Sequence, residues 1–432
     1  MKKERDHRKI GTDRGVKGIV PTLGPRADFG TSSFEEVTRL LKRAAYLPLF
    51  SMPNPGDPDV PISVWPFSLV PALRDLILLG MHVNEAPHRF EVQVEEPSPA
   101  RGLAVRHSVG EQIANIHVHF AITPENFEAG PGRVPPPTLL IPFFSQRFSF
   151  PQGEFLFLDS QKSGFRGFGA GRTFPITIGG GLHLRIGAVI EVLEGFGKFA
   201  GLQGMVVVNG EIRPPNDLAL FMMPRIMDPE GVLQAASPIN PPVLVPDPDP
   251  TTAFFFFLGE VDADHPITLN LAGDGRILSV NLFERLRLVH INFDINTTQD
   301  IRSRMIEGDV VGSHRSTLVF NPDAPTDVTP LYSANDIYTF HDREGKTIGT
   351  VNANIAEGRA IRTELPGMSH TVFRIGGAGP FIEGTGQFMG AIGMASVNGA
   401  LSLKPNTLSS LYMLRIIDPD SRFRILANNA WS

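Results

Sequence analysis

One stretch of this chain is written twice. Residues 184–210, LRIGAVIEVLEGFGKFAGLQGMVVVNG, lie over residues 373–399, FRIGGAGPFIEGTGQFMGAIGMASVNG, without a gap, and 13 of the 27 positions are identical. Chance at ordinary composition gives roughly two. The shared residues include Arg185/Arg374, Gly187/Gly376, Gly197/Gly386, Phe199/Phe388, Met205/Met394 and Asn209/Asn398. After a slip of one residue, Arg225-Ile-Met-Asp-Pro meets Arg415-Ile-Ile-Asp-Pro. The chain is therefore a tandem duplication, and each half has to fold as the same kind of unit.

The pattern inside the halves is that of strands. In Ala114–Phe120, Ala114, Ile116, Val118 and Phe120 alternate with Asn115, His117 and His119. Along Leu182–Glu194, the apolar Leu182, Leu184, Ile186, Ala188, Ile190 and Val192 share one face, and His183, Arg185 and Glu191 share the other. Gly (43) and Pro (38) are abundant, which favours many short strands joined by turns over helical packing. The expected class is all-β, with two tandem antiparallel closed barrels of about eight strands and a short helical N-terminal segment. Within the cassettes, the glycines read as bends or close backbone approaches, and Phe199 and Phe388 as core plugs. Arg225/Asp228 and Arg415/Asp418 read as ion-paired turns.

Four segments follow. Residues 1–85 form an N-terminal extension with two amphipathic helices. The first opens at the capping box Ser33-Phe-Glu-Glu36 and turns Phe34, Val37, Leu40, Leu41 and Ala44 to one side; the second runs from Pro71 to Gly80. Residues 86–236 form the first barrel, the proline-rich 237–252 a linker, and 253–432 the second barrel.

Several functions are excluded or disfavoured by composition. A formal charge of −6 gives no basic stripe for nucleic acid. With no cysteine, disulfides, thiolate metal ligands and a cysteine nucleophile are ruled out. No run of about 18 apolar residues is present, so no membrane span is expected, and the charged start has no signal-peptide character. The expected location is the cytoplasm. Gly195-Phe-Gly197-Lys-Phe-Ala200 matches a loose dinucleotide pattern, but it leads into a strand, where that motif must open a helix.

The second cassette carries a resemblance. Glu383-Gly-Thr-Gly386-Gln-Phe388-Met-Gly390-Ala-Ile-Gly393 resembles the G-G-T-G-x-F-x-x-A-x-G signature of dirigent proteins and allene oxide cyclases, and Gly308–Gly312 and Gly345–Thr350 resemble that family's early strands. A glutamate stands where the signature has its first glycine. The resemblance implies an eight-stranded barrel with an apolar lumen, oligomeric (often a trimer), working without a cofactor. It also implies steered cyclisation or isomerisation of a hydrophobic or oxygenated small molecule.

From the residues themselves, His183 and Glu191 are the candidate acid and base. Arg185 is the candidate holder of an anionic group, provided their face lines a lumen. If that face meets solvent, they are surface charges. His117, His119 and Arg374 are candidate ligand contacts. Alternate histidines also suit a metal, and Gly110, His117, His119 and Glu125 roughly imitate a first cupin motif. The spacings are off, no second motif follows, and Val319 stands at the repeat position of His117, so no metal is assigned. Three functions stay open: a cofactor-free cyclase or isomerase, a non-catalytic hydrophobic-ligand-binding or oligomeric barrel, and a metal-dependent oxygenase using His117 and His119. Polar residues unique to one lumen would mark the first.

Overall fold

A computed structural model describes residues 161–227 and 252–431 with short gaps. Before residue 161 it describes five strands between 44 and 157, almost wholly as backbone. The first sheet comprises β1 (Ala44–Tyr46), β2 (Leu49–Pro53), β3 (His88–Glu91), β4 (Ala114–Ala121), β5 (Arg147–Phe157), β6 (Gly164–Ile178), β7 (Gly181–Phe196), β8 (Gln203–Arg213) and β9 (Asp217–Met227). β9 pairs with β8 and also with β1 and β2. The side chains described lie mainly on β6–β9, which make half a barrel. Ala44 sits in β1, so no helix extends to it. The remainder of the first expected helix, the second helix and most of the linker lie outside the described residues.

The second sheet is a closed eight-stranded barrel. Its strands are β10 (Thr252–Val261), β11 (Thr268–Leu271), β12 (Ile277–Ile291), β13 (Met305–Phe320), β14 (Val328–His341), β15 (Thr347–Ala353), β16 (Glu357–Glu364), β17 (Thr371–Gly384), β18 (Gly393–Leu403) and β19 (Asn406–Ile417). The order β10-β19-β18-β17-β15-β14-β13-β12 closes by pairing β10 with β12; β16 shares the place of β15, and β11 extends the edge of β12. Every pairing is antiparallel, as the alternation and the absence of helical interludes require.

A helix that the sequence did not announce, α1 (Arg422–Trp431), plugs one barrel end. Trp431 packs edge-on against Phe255 and Phe257 and donates its indole N–H to His341 O at 2.9 Å. Asp418 accepts the amides of Phe423 and Arg424, both at 3.0 Å, and so satisfies orphan donors of the first helical turn. The expected Arg415–Asp418 pair is therefore not formed: the carboxylate caps α1 and Arg415 turns elsewhere. Asp228 lies outside the described residues.

The cassettes meet face to face. On β7 the apolar face (Ile186, Ala188, Ile190, Val192) is buried, and so are Arg185 and Val189 on the other face. Burial on both faces means that the outer one is covered, and what covers it is the second barrel. Val189, Met205 and Val207 pack with Ile361, while Phe174 packs with Ala378 and Met394. These clusters mirror each other: Val189/Ala378 and Met205/Met394 are repeat partners, and Phe174 and Ile361 each pair across the ladder with a cassette arginine. Asn209 Nδ2 donates to Met394 O (3.2 Å) and Ser396 Oγ (2.9 Å), and Asn398 Nδ2 returns to Met205 O and Met223 O, both at 2.9 Å.

The run Phe254–Phe257 splits in the same way. Phe255 and Phe257 face the lumen, while Phe254 and Phe256 both pack at a tilt against Phe221 of the first half.

Close approach explains Gly187 and Gly376. A Cβ at Gly187 would lie 2.7 Å from Ala378 Cβ, and one at Gly376 would overlap Met205 Sδ and lie 2.8 Å from Val189 Cγ1. Gly376→Val is therefore expected to cost about 1–3 kcal/mol in urea unfolding. A cost below about 0.5 kcal/mol would mean that the halves do not touch here. Beyond each β7- or β17-type strand, Gly197 and Gly386 take φ of +61° and +57° to open a short 3-10 turn that buries Phe199 and Phe388, the expected plugs. That turn leads into a strand, and no α-helix opens where the dinucleotide pattern would need one.

Candidate functional site

The expected catalytic residues lie between the two halves. Glu211 is fully buried; His183 Nδ1 approaches it at 2.7 Å, Arg185 at 3.1 Å and Arg415 at 3.6 Å. Glu191 pairs instead with Arg374, whose Nη2 donates to it at 3.0 Å. The same guanidinium donates to Gly204 O and, at 2.6 Å, to Thr363 Oγ1. The polar face of β7 is thus largely covered at Arg185, Val189 and Glu191, with His183 and Glu191 only partly exposed. It meets the neighbouring barrel, which is why its arginine recurs as Arg374: both are buried where the cassettes join. His117 and His119 are on β4, but their side chains lie outside the described residues.

The groups that chemistry would use sit in the second lumen. Inward positions on β12, β13, β14 and β19 bring Glu284, His314, Tyr338 and Tyr412 to one level. Glu284 pairs across the ladder with His314, and His314 with Tyr338. Gly259 on β10 leaves the space that Glu284 and Tyr412 fill; a Cβ there would lie 2.7 Å from Tyr412 Cε2. His314 Nδ1 is 2.9 Å from Glu284 Oε2. Tyr412 donates its hydroxyl to that same oxygen, and Ser410 Oγ donates to Oε1 at 3.1 Å. The His314 ring stacks on Tyr338 with centroids 4.5 Å apart.

A β-bulge supplies the fourth charged or polar partner. On β14 the register slips opposite Arg315–Thr317, and Asn335 takes φ +62°. Asparagine tolerates that conformation better than most residues. The extra residue changes the inward phase from Leu331 and Ser333 to Asp336, Tyr338 and Phe340. Asp336 Oδ1 then lies 3.4 Å from His314 Nε2, and Asp336 Oδ2 accepts from Ser333 Oγ, which itself takes the Ile355 amide at 2.6 Å.

His314, Glu284 and Asp336 are at most 2% exposed. Burial alone would lower the imidazole's pKa, but the close contacts and charges of Asp336 and Glu284 outweigh it and raise it to about 9. Burial, reinforced by the carboxylates, pushes the Tyr338 and Tyr412 hydroxyls well above 10. The site therefore has a protonated imidazole held between two carboxylates, with two neutral phenols beside it.

His314 Nε2 and Asp336 Oδ1 approach at ion-pair distance but off the line of a hydrogen bond, and neither has another partner. Both residues border a cavity with about 10 Å³ of free space, enough for one water. Ser410 and Tyr412 complete its polar side; Leu282, Leu318, Ile375 and Leu408 are among its apolar walls.

No motif announces this cluster, because its members come from four strands between residues 284 and 412. Two signals point to it all the same. The chain has only 4 tyrosines, and two of them are here. The repeat alignment puts Met222 at the position of Tyr412, so this phenol is not repeated in the first half.

Among the described residues, no helix is long and apolar enough to cross a membrane, and none of the side-chain groupings has the arrangement of a metal site. No family model, curated protein or solved structure matches the chain.

Proposed function

We propose that the lumen of the second barrel is an acid–base site for a hydrophobic, oxygenated small molecule. On this reading the protein is a cofactor-independent isomerase or cyclase, as its resemblance to dirigent proteins and allene oxide cyclases suggests. The first half closes as a second barrel and serves as structural support. The observation that carries this is the His314–Glu284–Asp336 cluster inside an otherwise apolar barrel. Burying charge there is costly, and clusters of that kind concentrate at functional sites.

The division of labour follows from the geometry. Glu284, fixed by Tyr412 and Ser410, holds His314 Nδ1 and sets the ring's orientation. His314 Nε2–H donates its proton to a ligand oxygen while Asp336 takes one from a neighbouring carbon, giving an enol, a neutral imidazole and a protonated Asp336. Asp336 then delivers its proton to another carbon of the conjugated enol while the enol O–H returns its proton to His314 Nε2, which completes an isomerisation with no net change in protons.

The test is hydrogen–deuterium exchange into a panel of uncharged enolisable ketones, followed by NMR. The full chain should accelerate exchange into at least one, and His314→Gln and Asp336→Asn should each lose about 10²-fold or more. Equal exchange by wild type and both folded variants would end the proposal.

The small free space favours a second reading, a non-catalytic barrel with a polar core. In that case Glu284→Leu, His314→Phe and Asp336→Asn combined should be neutral or stabilising and should cost no binding or turnover.

A further inference from the structure

The second lumen also restricts the charge and polarity of what it can hold. Its orphaned atoms are a donor, His314 Nε2–H, and an acceptor, Asp336 Oδ1, 3.4 Å apart on the same cavity. A hydroxyl is the smallest group that satisfies both, accepting from the imidazole and donating to the carboxylate. Water satisfies them as well, and the free space is the size of one.

The charges decide between an alcohol and an acid. One imidazole faces two carboxylates, which makes the cluster −1 with the ring charged and −2 with it neutral. Among the described residues, no lysine or arginine lines the cavity. A second anion would be pushed into a negative, desolvated site.

The groove on the outer wall, near Arg315 and His265, is a weaker site for a ligand. Its floor is the bonded ladder of Leu282 and Ser316, which separates it from the lumen.

We infer that the lumen selects uncharged hydroxyl- or enol-bearing apolar molecules and rejects carboxylates of the same chain length. The hydroxyl sits between His314 and Asp336, and the hydrocarbon displaces the Leu282, Leu318 and Leu408 side chains. This rests on the lumen being the ligand site, and it adds the class of ligand.

The experiment is calorimetric titration of the full chain at pH 7.5 with 1-hexanol and with hexanoate. Hexanol should bind at least tenfold more tightly. Asp336→Asn removes a negative charge and an acceptor, and should shrink that gap to threefold or less, chiefly by admitting hexanoate. Hexanoate binding as tightly as hexanol in the wild type would overturn the inference, and so would a gap that Asp336→Asn leaves unchanged. Binding of neither probe would overturn it too. Lumen chemistry would still be judged by ketone exchange, so the two failures are separable.

Discussion

Glu211→Ala is expected to destabilise the folded chain by about 3–5 kcal/mol, far beyond an ordinary surface carboxylate. The residue is fully buried, with Arg185 at 3.1 Å and Arg415 at 3.6 Å, both also fully buried. Removing the carboxylate leaves two guanidiniums in the seam between the halves without that counter-charge, and it frees His183 Nδ1 from its 2.7 Å partner. Arg415 also donates to Asn209 O at 3.2 Å and lies over the Phe254 ring, so it cannot swing out to water without breaking the seam. Urea unfolding of wild type, Glu211→Ala, Arg185→Ala and the double variant gives the coupling directly. The double variant should cost less than the sum of the singles by at least about 1 kcal/mol. A Glu211→Ala cost below about 1 kcal/mol would mean that the seam is solvated.

The second large effect is on pH. His314 has a pKa of about 9 in the folded chain against 6.5 in its absence. Between those values the folded state binds more protons than the unfolded one, so stability falls as pH rises. The contribution is fully present below pH 6.5 and is lost through about pH 9, an order of 3 kcal/mol. The groups facing the ring are Glu284 from β12, Asp336 and Tyr338 from β14, and Tyr412 from β19. Both tyrosines are shifted upward, so they stay neutral across this window. Urea midpoints at pH 6.5 and 9.5 should therefore drop more for wild type than for His314→Gln. Equal drops would place the imidazole's pKa near its ordinary value.

What the sequence made legible was whatever depends on local periodicity and on the repeat. Alternation predicts strands, and Phe199 and Phe388 fill the core positions expected of them. The repeat even signals the seam, since a residue kept in both halves, such as Arg185/Arg374 or Asn209/Asn398, is explained by a contact the halves share. The identity of the covering partner was not legible. A polar strand face reads the same whether it meets water, a lumen or another barrel, so His183, Arg185 and Glu191 looked like chemistry. Helix α1 is short and has no strong apolar stripe; its fit depends on Phe255 and Phe257 being beneath Trp431. The lumen cluster depends on a one-residue bulge at Asn335. Without it Asp336 would point outward, and no periodicity argument foresees that phase change.

The most direct test of the lumen as the working site uses the scarcity of tyrosine. In a chain with 4 tyrosines, ring-labelled NMR gives a readable set of signals. Titration with an uncharged oxygenated ligand should shift the rings of Tyr338 and Tyr412, which are buried beside His314, and leave that of Tyr332 unmoved, because its neighbours across the ladder face outward. Saturable binding that leaves Tyr338 and Tyr412 unchanged would put the ligand outside the second barrel.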